Sequence, residues 1–493
     1  MHPSIKLYEK QLYEIWENQS YTKSLHTVSG EEVHVLDVGV RNEDISGPDY
    51  RNARIRIGNL TFVGDIEIDR DYADWKVHGH NIDAKYTKVI LHATLSNKNK
   101  HPYVYSRDGR KIPTVCMAEF LPEDVVEKIL ASTKENSNKN SQELKCQHIN
   151  EIISKEEKEK FLSKLGMERF NKKCKRIYNR LKELTFIHEL KIKEPVISYE
   201  LTPKFYQRNF NHNDFTNKEI WQQLLYELIF EALGYSKNKS VMMQLAQHTK
   251  IDYLTKIEQD GLLTDKYEAI LFKISGMIPK TDTLKDEESI QYVEKLNLLW
   301  NSFSHFYDGV YLLETQWHFF RLRPQNFPTI RIAAGAKILN EIINNNLVAS
   351  LARKIEEIRN PKVLINSLRS MFILKSAGYW RNHYIFGRKT NAEIKYLVGA
   401  SRADEIIINV IFPYFAIYFE IFGNAQATKK IFKLYDLYIQ NSDNNLVLEM
   451  GQSLKLQDDT KRTIISQGMI ELFRNYCSKN KCLECDIGKI VFN

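Results

Sequence analysis

The residues best suited to chemistry in this chain lie in one short stretch, from Gly47 to His92. The stretch reads as β-strands, and a half-buried strand needs apolar residues on one face but has no need of clustered acids or imidazoles. The side chains concerned are Asp49, Asp65, Glu67, Asp69, Asp74, His78, His80, Asp83 and His92. Carboxylates and imidazoles are the protein ligands of divalent metal ions. The stretch therefore predicts a metal or phosphate site, the alternative being that these groups cap turns and pair locally.

A tight turn at Gly58-Asn59 joins two of the predicted strands, and the resulting hairpin brings Asp49 close to Glu67. Carboxylate oxygens are the ligands that magnesium or manganese prefers. The His-x-His that follows suits zinc, manganese or iron(II) as readily, so the identity of the metal stays open. The predicted metal ligands are Asp49, Asp65 and Glu67, and the predicted catalytic residues are Asp49, Glu67, His78 and His80.

Pro48-Asp49 and Glu67-Ile68-Asp69 resemble the two halves of the motif of the PD-(D/E)xK nuclease superfamily. The resemblance implies that two acids and a backbone carbonyl hold magnesium, which activates water and stabilises charge on the scissile phosphate. In this sequence Asp69 stands at the position of the lysine, and a carboxylate cannot neutralise a phosphate as an ammonium group does. The nearby side chains that carry or can gain a positive charge are Lys76, His78 and His80.

The elements that position these residues follow in the order α-β-β-β-α-β, beginning with an amphipathic helix over residues 3–20. A polar, low-complexity segment over 131–145 predicts a linker. Helical periodicity then dominates from about residue 154 to 475. The predicted fold class is α+β, with a restriction-endonuclease-like α/β domain over 1–130, the linker over 131–145 and a large all-α domain over 146–493.

Bulk composition places the chain among globular proteins, with 493 residues, 43% apolar residues and a net charge of +8. No window approaches the run of about eighteen apolar residues that a membrane span needs. The first twenty residues carry spaced charges and lack the apolar core of a signal peptide. Six cysteines in a chain of this length do not form a secreted disulfide framework. We therefore expect a cytoplasmic protein with no membrane partner, and its oligomeric state stays open.

Several motifs together resemble the uncharacterised bacterial family called domain of unknown function 2851. They are GPDY (47–50), GDIEI (64–68), HGH (78–80), VILH (89–92), RLRPQNFPTIRIA (321–333), YWRNHYIFG (379–387), IIINVIFPY (406–414) and YCSKNKCLECDIG (476–488). The resemblance covers nearly the whole chain and implies no activity. The family usually has histidine where this sequence has Asp69, and Ser-Ser where it has Tyr72-Ala73. Both differences fall inside the predicted site.

Cys477, Cys482 and Cys485 form a C-x4-C-x2-C run near the end of the sequence. Three thiolates in a reducing compartment favour a metal over a disulfide, and they are one ligand short of a closed tetrahedral site. The family resemblance implies Cys146 as the fourth ligand. We therefore predict that the four sulfurs converge on zinc or on a [4Fe–4S] cluster, the alternative being free thiols.

A further set of residues suits nucleic acid. Residues 154–183 contain 11 Lys/Arg against 5 Asp/Glu, and the segments 321–332 and 379–387 combine arginines with aromatic residues. A basic, aromatic groove holds nucleic acid. A run of charges on a helix is usually a solvated face, and arginines at helix junctions commonly cap carbonyls or pair with acids. The residues predicted to contact nucleic acid are Lys172, Lys173, Arg176, Arg321, Arg323, Arg331 and Arg381.

The leading functional hypothesis is a metal-dependent nuclease-like protein, a phosphodiesterase that acts on or binds nucleic acid. One alternative is a non-catalytic nucleic-acid-binding or scaffold protein, which fits the missing lysine. Another is a metallohydrolase of a small phosphorylated substrate, which would not need the basic helix. The missing lysine also leaves open a member with a weakened or inactive site.

Overall fold

A computed structural model describes residues 7–42, 47–123, 125–126, 144–147, 149–190, 203–258, 261–319, 322–441 and 444–492. The chain divides into two compact units. The first comprises Met1–Gln142 together with Glu314–Phe327, and the second comprises Glu143–Leu313 and Pro328–Asn493. The predicted division into two domains, with a linker over residues 131–145, does not include this return of residues 314–327 to the first unit.

The first unit is built around one mixed sheet. Its elements are helix α1 (Leu7–Asn18), strands β1 (Leu25–His26), β2 (Glu32–Asp37), β3 (Val40–Arg41), β4 (Tyr50–Ile57) and β5 (Leu60–Asp71), helix α2 (Asp74–Val77), and strands β6 (Val89–Ser96), β7 (Tyr103–Tyr105) and β8 (Lys111–Cys116). The sheet order is β1-β2-β4-β5-β6-β8-β7, and β3 pairs with β4. Strands β4 and β5 are antiparallel, whereas β5, β6 and β8 run parallel.

One face of the sheet is covered by α1. Leu12, Ile15 and Trp16 share one side of this helix, as their spacing predicts, and all three are buried. They pack in one core with sheet residues such as Ile66 and Ile68 of β5. The opposite face of β5 is therefore turned away from α1 and toward α2.

The second unit is mostly helical. Its helices are α3 (Lys155–Leu190), α4 (Pro203–Gln207), α5 (Lys218–Leu233), α6 (Tyr235–His248), α7 (Ile251–Leu254), α8 (Leu263–Ile274), α9 (Glu287–Phe303), α10 (Pro328–Ile343), α11 (Leu347–Glu357), α12 (Pro361–Phe372), α13 (Ala400–Ile406), a π-helical turn (Ile407–Ile411), α14 (Phe412–Ile421), α15 (Ala425–Leu437), α16 (Asn445–Leu454), α17 (Thr463–Asn475) and α18 (Asp486–Phe492). Strands β9 (Leu374–Lys375), β10 (His383–Ile385), β11 (Arg388–Lys389) and β12 (Tyr396–Val398) form two small two-stranded sheets.

Helices α3 and α17 pack closely because glycines occupy their contact. A Cβ atom at Gly166 would collide with the backbone carbonyl of Ile464, and one at Gly468 would collide with that of Leu162. Only glycine permits this approach of the two backbones. The same approach brings the polar side chains farther along α3 into contact with those of α17.

The predicted class of a mixed α+β chain is confirmed, with the sheet in the N-terminal part and helices after it. The expectation of an all-α second domain is wrong in detail, because β9 to β12 lie within it. The restriction-endonuclease-like assignment stays a prediction. No helix among the described residues combines the length and the apolar character that a membrane crossing needs.

Candidate metal centre

Strand β5 carries the acidic residues of the site on a single face. Side chains alternate between the two faces of a strand, so Asp65, Glu67 and Asp69 point away from the face that Ile66 and Ile68 bury against α1. All three carboxylates are nevertheless buried, since Asp65 is 8%, Glu67 2% and Asp69 4% exposed. Buried carboxylates require compensation by positive charge or hydrogen-bond donors.

The turn after β5 brings two histidines back over this face. Asp74 accepts a hydrogen bond from the Asp71 backbone N–H at 3.0 Å and starts α2. Trp75 is buried and donates its indole N–H to the Tyr105 carbonyl at 2.9 Å, which anchors the short helix. Gly79, with φ +81°, turns the chain between the two histidines, a conformation that favours glycine.

Asp69, His78 and His80 form a compact donor group. One ligand atom from each residue lies within 4.8 Å of the others. His78 Nδ1 is 3.2 Å from Asp69 Oδ1, and His80 Nε2 is 3.6 Å from Asp69 Oδ2. His80 is fully buried, whereas the His78 side chain is 23% exposed. A carboxylate with two imidazoles at this separation can hold a divalent metal ion.

Two further side chains, Glu67 and His92, lie in contact with members of this group. Glu67 Oε1 lies 3.0 Å from His80 Nε2, and His92 Nε2 lies 3.1 Å from Asp69 Oδ2. His92 is on β6, directly across from Glu67 in the parallel register, and is fully buried. Trp75 packs against both His80 and His92 with ring centroids 5.2 Å apart, so an aromatic wall closes this side of the group.

The imidazoles determine the charge state of Asp69. Burial alone would raise the pKa of this carboxyl, but the charge of His80 and hydrogen bonds from His78, His80 and His92 hold it well below its usual range. Asp69 is therefore ionised at neutral pH. An ionised carboxylate is the form that ligates a metal ion.

The structure places Asp49 next to Glu67, as the hairpin predicts. The Asp49 backbone N–H donates to Glu67 Oε2 at 3.2 Å, and the Asp49 carboxylate accepts bonds from Tyr13 and from the Ile68 backbone N–H. Burial, and then repulsion by Glu67, raise the pKa of Asp49 well above its usual range. Their catalytic and metal-binding roles stay predictions.

A β-bulge sets the position of Asp65. Tyr50 pairs with Ile66 and Ala53 with Gly64, so two residues of β4 oppose Asp65. The bulged Asn52, with φ +55°, donates its backbone N–H to Asp65 Oδ1 at 3.1 Å. Among the described residues, the one compact donor group contains none of the three predicted ligands, Asp49, Asp65 and Glu67. It is centred on Asp69, one strand repeat beyond Glu67.

Residues from the later part of the chain contact the same unit beside the donor group. Lys85 Nζ lies 3.2 Å from His318 Nδ1, and Arg107 forms an ion pair with Glu314 at 2.5 Å. These contacts explain why residues 314–327 belong to the first unit.

The four cysteines do not converge as predicted. Among the described residues, no three of their sulfurs lie within 4.8 Å of one another. The thiols are neighbours all the same, since burial and Cys485 raise the pKa of Cys146, and burial with Cys485 raises that of Cys477 to about 12. Cys477 and Cys482 each begin a separate 3₁₀ turn. The sulfur distances among the described residues therefore do not give the compact set of ligands that the predicted zinc or [4Fe–4S] site needs.

The arginines of the predicted groove are divided between the two units, and the groove itself stays a prediction. Arg321 lies outside the described residues, and Arg323 belongs to the first unit whereas Arg331 and Arg381 belong to the second. Arg331 is 5% exposed and donates to the Leu397 carbonyl at 2.7 Å, so it does not face solvent and cannot contact a phosphate backbone. Arg381 is exposed and ion-paired with Glu393.

The basic residues of α3 pair with other helices of the second unit. Lys172 forms an ion pair with Glu471, and Arg176 makes two hydrogen bonds to Glu231 at 2.7 and 2.8 Å. Lys173 donates to Asn409 at 2.5 Å and to Gln467 at 2.8 Å. Their role in nucleic-acid binding stays a prediction.

The sequence analysis includes Asp69 and His92 in the candidate stretch but not among the predicted ligands or catalytic residues. The nuclease motif has lysine at the position of Asp69, so the motif gives this carboxylate no role as a metal ligand. The sequence signal for Asp69 is the alternation of Asp65, Glu67 and Asp69, which places the three carboxylates on one face of the strand. His92 had a weaker signal, since only the strand register shows that it reaches Asp69.

Comparison with known proteins gives one result. A family model described as protein of unknown function (DUF2851) matches residues 9–194 and 192–445. No curated protein and no solved structure matches the chain. The matched region contains the whole donor group, and the likeness to PD-(D/E)xK nucleases receives no support from these comparisons. Since the match takes in most of the sequence, the chain belongs to the DUF2851 family of proteins of unknown function.

Proposed function

We propose that this chain is a divalent-metal-dependent phosphodiester hydrolase that acts on nucleic acid. The observation that carries the proposal is the donor group Asp69, His78 and His80, whose ligand atoms all lie within 4.8 Å of one another. Three protein ligands leave coordination positions for water and substrate, which is the arrangement of catalytic rather than structural metal sites.

The donor set favours zinc, manganese or iron(II) over magnesium. Magnesium takes oxygen ligands, whereas imidazoles suit the transition metals. Asp69 supplies an oxygen and the two histidines supply nitrogens. The proposal therefore replaces the oxygen-only set that the nuclease motif implies.

When bound, such an ion would lower the pKa of a coordinated water and neutralise charge on a phosphate. Three residues around the ion have separate proposed roles in hydrolysis. His92 is a positioning residue, because its bond to Asp69 at 3.1 Å orients that carboxylate. Glu67, beside the donor group, is placed to accept a proton as a general base. His78, the most exposed donor, marks the side from which substrate enters.

The nucleic-acid substrate is supported by the arrangement of the carboxylates. Asp49 precedes β4 and Glu67 lies on the antiparallel strand β5, with the parallel strand β6 following through α2. The same order and the same two acids characterise the PD-(D/E)xK resemblance. Asp69 in place of lysine leaves the phosphate charge to be neutralised by a metal ion and by imidazoles.

A second candidate is hydrolysis of a small phosphorylated molecule. It is favoured by burial, because Glu67, His80 and His92 are each 2% exposed or less. A phosphate in a long polymer needs an open groove to reach a site so deep, whereas a small ester needs only a narrow opening beside His78.

The first experiment measures metal content and hydrolysis together. Purified protein is stripped with EDTA, reloaded with zinc, manganese, iron(II) or magnesium, and assayed by elemental analysis. Activity is measured on bis(p-nitrophenyl) phosphate, p-nitrophenyl phosphate, and single- and double-stranded oligonucleotides. We expect about one transition-metal ion per chain and cleavage of the diester and of an oligonucleotide. Cleavage of the monoester alone would favour the second candidate.

Substitutions separate the roles of the residues. Asp69→Asn and His78→Ala should lose the metal, whereas Glu67→Gln should keep most of it and lose cleavage. His34→Gln is the matched control, since His34 is an exposed histidine of the same sheet. Equal metal content in Asp69→Asn and the wild-type protein would refute the metal centre, and a loaded protein inactive on every substrate would leave a binding protein instead.

A further inference from the structure

The helical unit contains a concentration of positive charge that its own carboxylates do not balance. Six cationic side chains from three helices lie near one another, five of them through mutual electrostatic interaction and Lys172 through Glu471, which it shares with Arg169. We call them the Lys173 cluster, which comprises Arg169, Lys172, Lys173, Arg176, Lys239 and Arg474. In the described part of the chain, the carboxylates in contact with the cluster or close to it are Glu231, Glu405 and Glu471.

Polar amides lie at the inner side of the cluster. Lys173 Nζ donates to Asn409 Oδ1 at 2.5 Å and to Gln467 Oε1 at 2.8 Å. Gln467 is buried and also accepts a bond from Arg169 at 2.8 Å. Neutral amides thus take the place beside Lys173 where carboxylates would have neutralised it.

The segment that supplies Asn409 has unusual backbone geometry. Ile407–Ile411 is a π-helical turn set between α13 and α14, and Asn409 is its central residue. Such turns cost stability relative to a regular helix and are often found at functional sites. Here the turn directs a side-chain oxygen toward Lys173.

Two cations at the outer side have no counter-ion of their own. Lys239 and Arg474 are exposed, and neither is hydrogen-bonded or ion-paired through its side chain to any residue that the structure describes. Burial lowers the pKa of Lys239 even though Glu231 attracts its charge, and burial together with Arg169 lowers that of Arg474 against the attraction of Glu471. Crowded like charges of this kind disfavour the folded state unless a ligand offsets them.

We infer that the Lys173 cluster binds a phosphate group of a phosphorylated ligand. An anion bound there would contact Lys239 and Arg474, which have free hydrogen-bond donors, and would neutralise the remaining charge around Lys173. The site lies wholly in the second unit and uses none of the residues of the candidate metal centre. Phosphate suits it because Lys and Arg are the side chains that bind this group.

The test is a calorimetric titration of EDTA-treated full-length protein with sodium pyrophosphate at fixed ionic strength. We expect one saturable site. The double variant Lys239→Gln with Arg474→Gln should weaken binding about a hundredfold, since each charged contact is worth about tenfold. Both residues are exposed, so the variant should fold. Lys175→Gln, an exposed lysine of the same helix, should bind as the wild-type protein does.

A second variant distinguishes a specific loss of binding from a general loss of structure. Gln467→Glu would place a carboxylate between Lys173 and Arg169, so it should abolish pyrophosphate binding while the melting temperature rises or stays constant. His78→Ala should leave binding unchanged, so that failure of the metal centre and failure of this site are distinguishable. Absence of saturable binding, or equal weakening by Lys175→Gln and by the double variant, would overturn the inference.

The source of the phosphate group is resolved in the same experiment. A fluorescent single-stranded oligonucleotide that binds, and that pyrophosphate displaces in the wild-type protein, would identify a nucleic-acid backbone. Pyrophosphate binding without oligonucleotide binding would identify a small phosphorylated molecule.

Discussion

A buried carboxyl in the second unit makes the stability of the protein depend on pH. Glu268 of α8 accepts a hydrogen bond from the Trp380 indole N–H at 2.6 Å, and Tyr292 lies beside both groups. Glu268 is buried, and this burial raises its pKa from 4.5 to about 7, against the lowering effect of its hydrogen bonds with Tyr292 and Trp380. We predict that Glu268→Gln stabilises the protein at alkaline pH.

The magnitude follows from the two pKa values of Glu268, about 7 in the folded protein and near 4.5 when unfolded. Below pH 4.5 the carboxyl is protonated in both states and contributes nothing to the pH dependence. Between pH 4.5 and 7 the unfolded chain loses the proton first, so stability falls as pH rises, and above pH 7 the loss is complete. Each pKa unit corresponds to about 1.4 kcal/mol, so the shift sets a ceiling of about 3.5 kcal/mol for the gain from glutamine at pH 8.

The assay is urea denaturation at pH 5 and pH 8, followed by tryptophan fluorescence. Glutamine keeps the oxygen that accepts from Trp380, so Glu268→Gln should equal the wild-type protein within about 1 kcal/mol at pH 5 and exceed it at pH 8. Glu294→Gln, an exposed glutamate of the neighbouring α9, is the control and should change neither value. A difference between Glu268→Gln and the wild-type protein that is the same at both pH values would refute the reasoning.

Three further predictions follow from contacts described above. His92→Phe should keep the fold but lower zinc affinity about 10–100-fold in a competition titration, because Asp69 loses the imidazole that orients it; an unchanged affinity would contradict this. Gly468→Ala should destabilise the protein by about 1–3 kcal/mol in thermal denaturation, because the new methyl group meets the Leu162 carbonyl. Cys482→Ser should leave the zinc content of purified protein unchanged, and a loss of one zinc per chain would show that the thiols do bind metal.

Much of the first unit could be predicted from the sequence because its signals are local. The turn at Gly58-Asn59, the alternation along β5 and the apolar stripe of α1 each determine an element within about ten residues, and the observed bounds follow them closely. The return of residues 314–327 to this unit could not be predicted in the same way. It depends on contacts such as that of Lys85 with His318, which are more than two hundred residues apart in the sequence.

The predictions for the basic residues and for the cysteines show that sequence spacing alone does not determine which side chains meet in the fold. Arg323 and Arg331 are eight residues apart and yet belong to different units. C-x4-C-x2-C spacing allows three thiols to meet, but whether they do so depends on the backbone turns between them, and here Cys477 and Cys482 start separate turns. A motif gives the residue types available for a site, and the tertiary fold decides their distances.

Asp69 stands where the nuclease motif has lysine, and we interpret it as a ligand of the metal centre and not as a sign that the site has been lost. A lysine at this position would offset the charge of buried carboxylates such as Glu67, whereas Asp69 adds to it. Among the described residues, Asp69 is ion-paired with histidines and with no Lys or Arg, so its compensation comes from imidazoles alone. A buried and ionised carboxylate needs positive charge or hydrogen-bond donors around it, and at Asp69 histidine side chains supply them. A divalent ion bound by Asp69, His78 and His80 would supply a fixed positive charge beside that carboxylate, with the imidazole nitrogens as its other ligands.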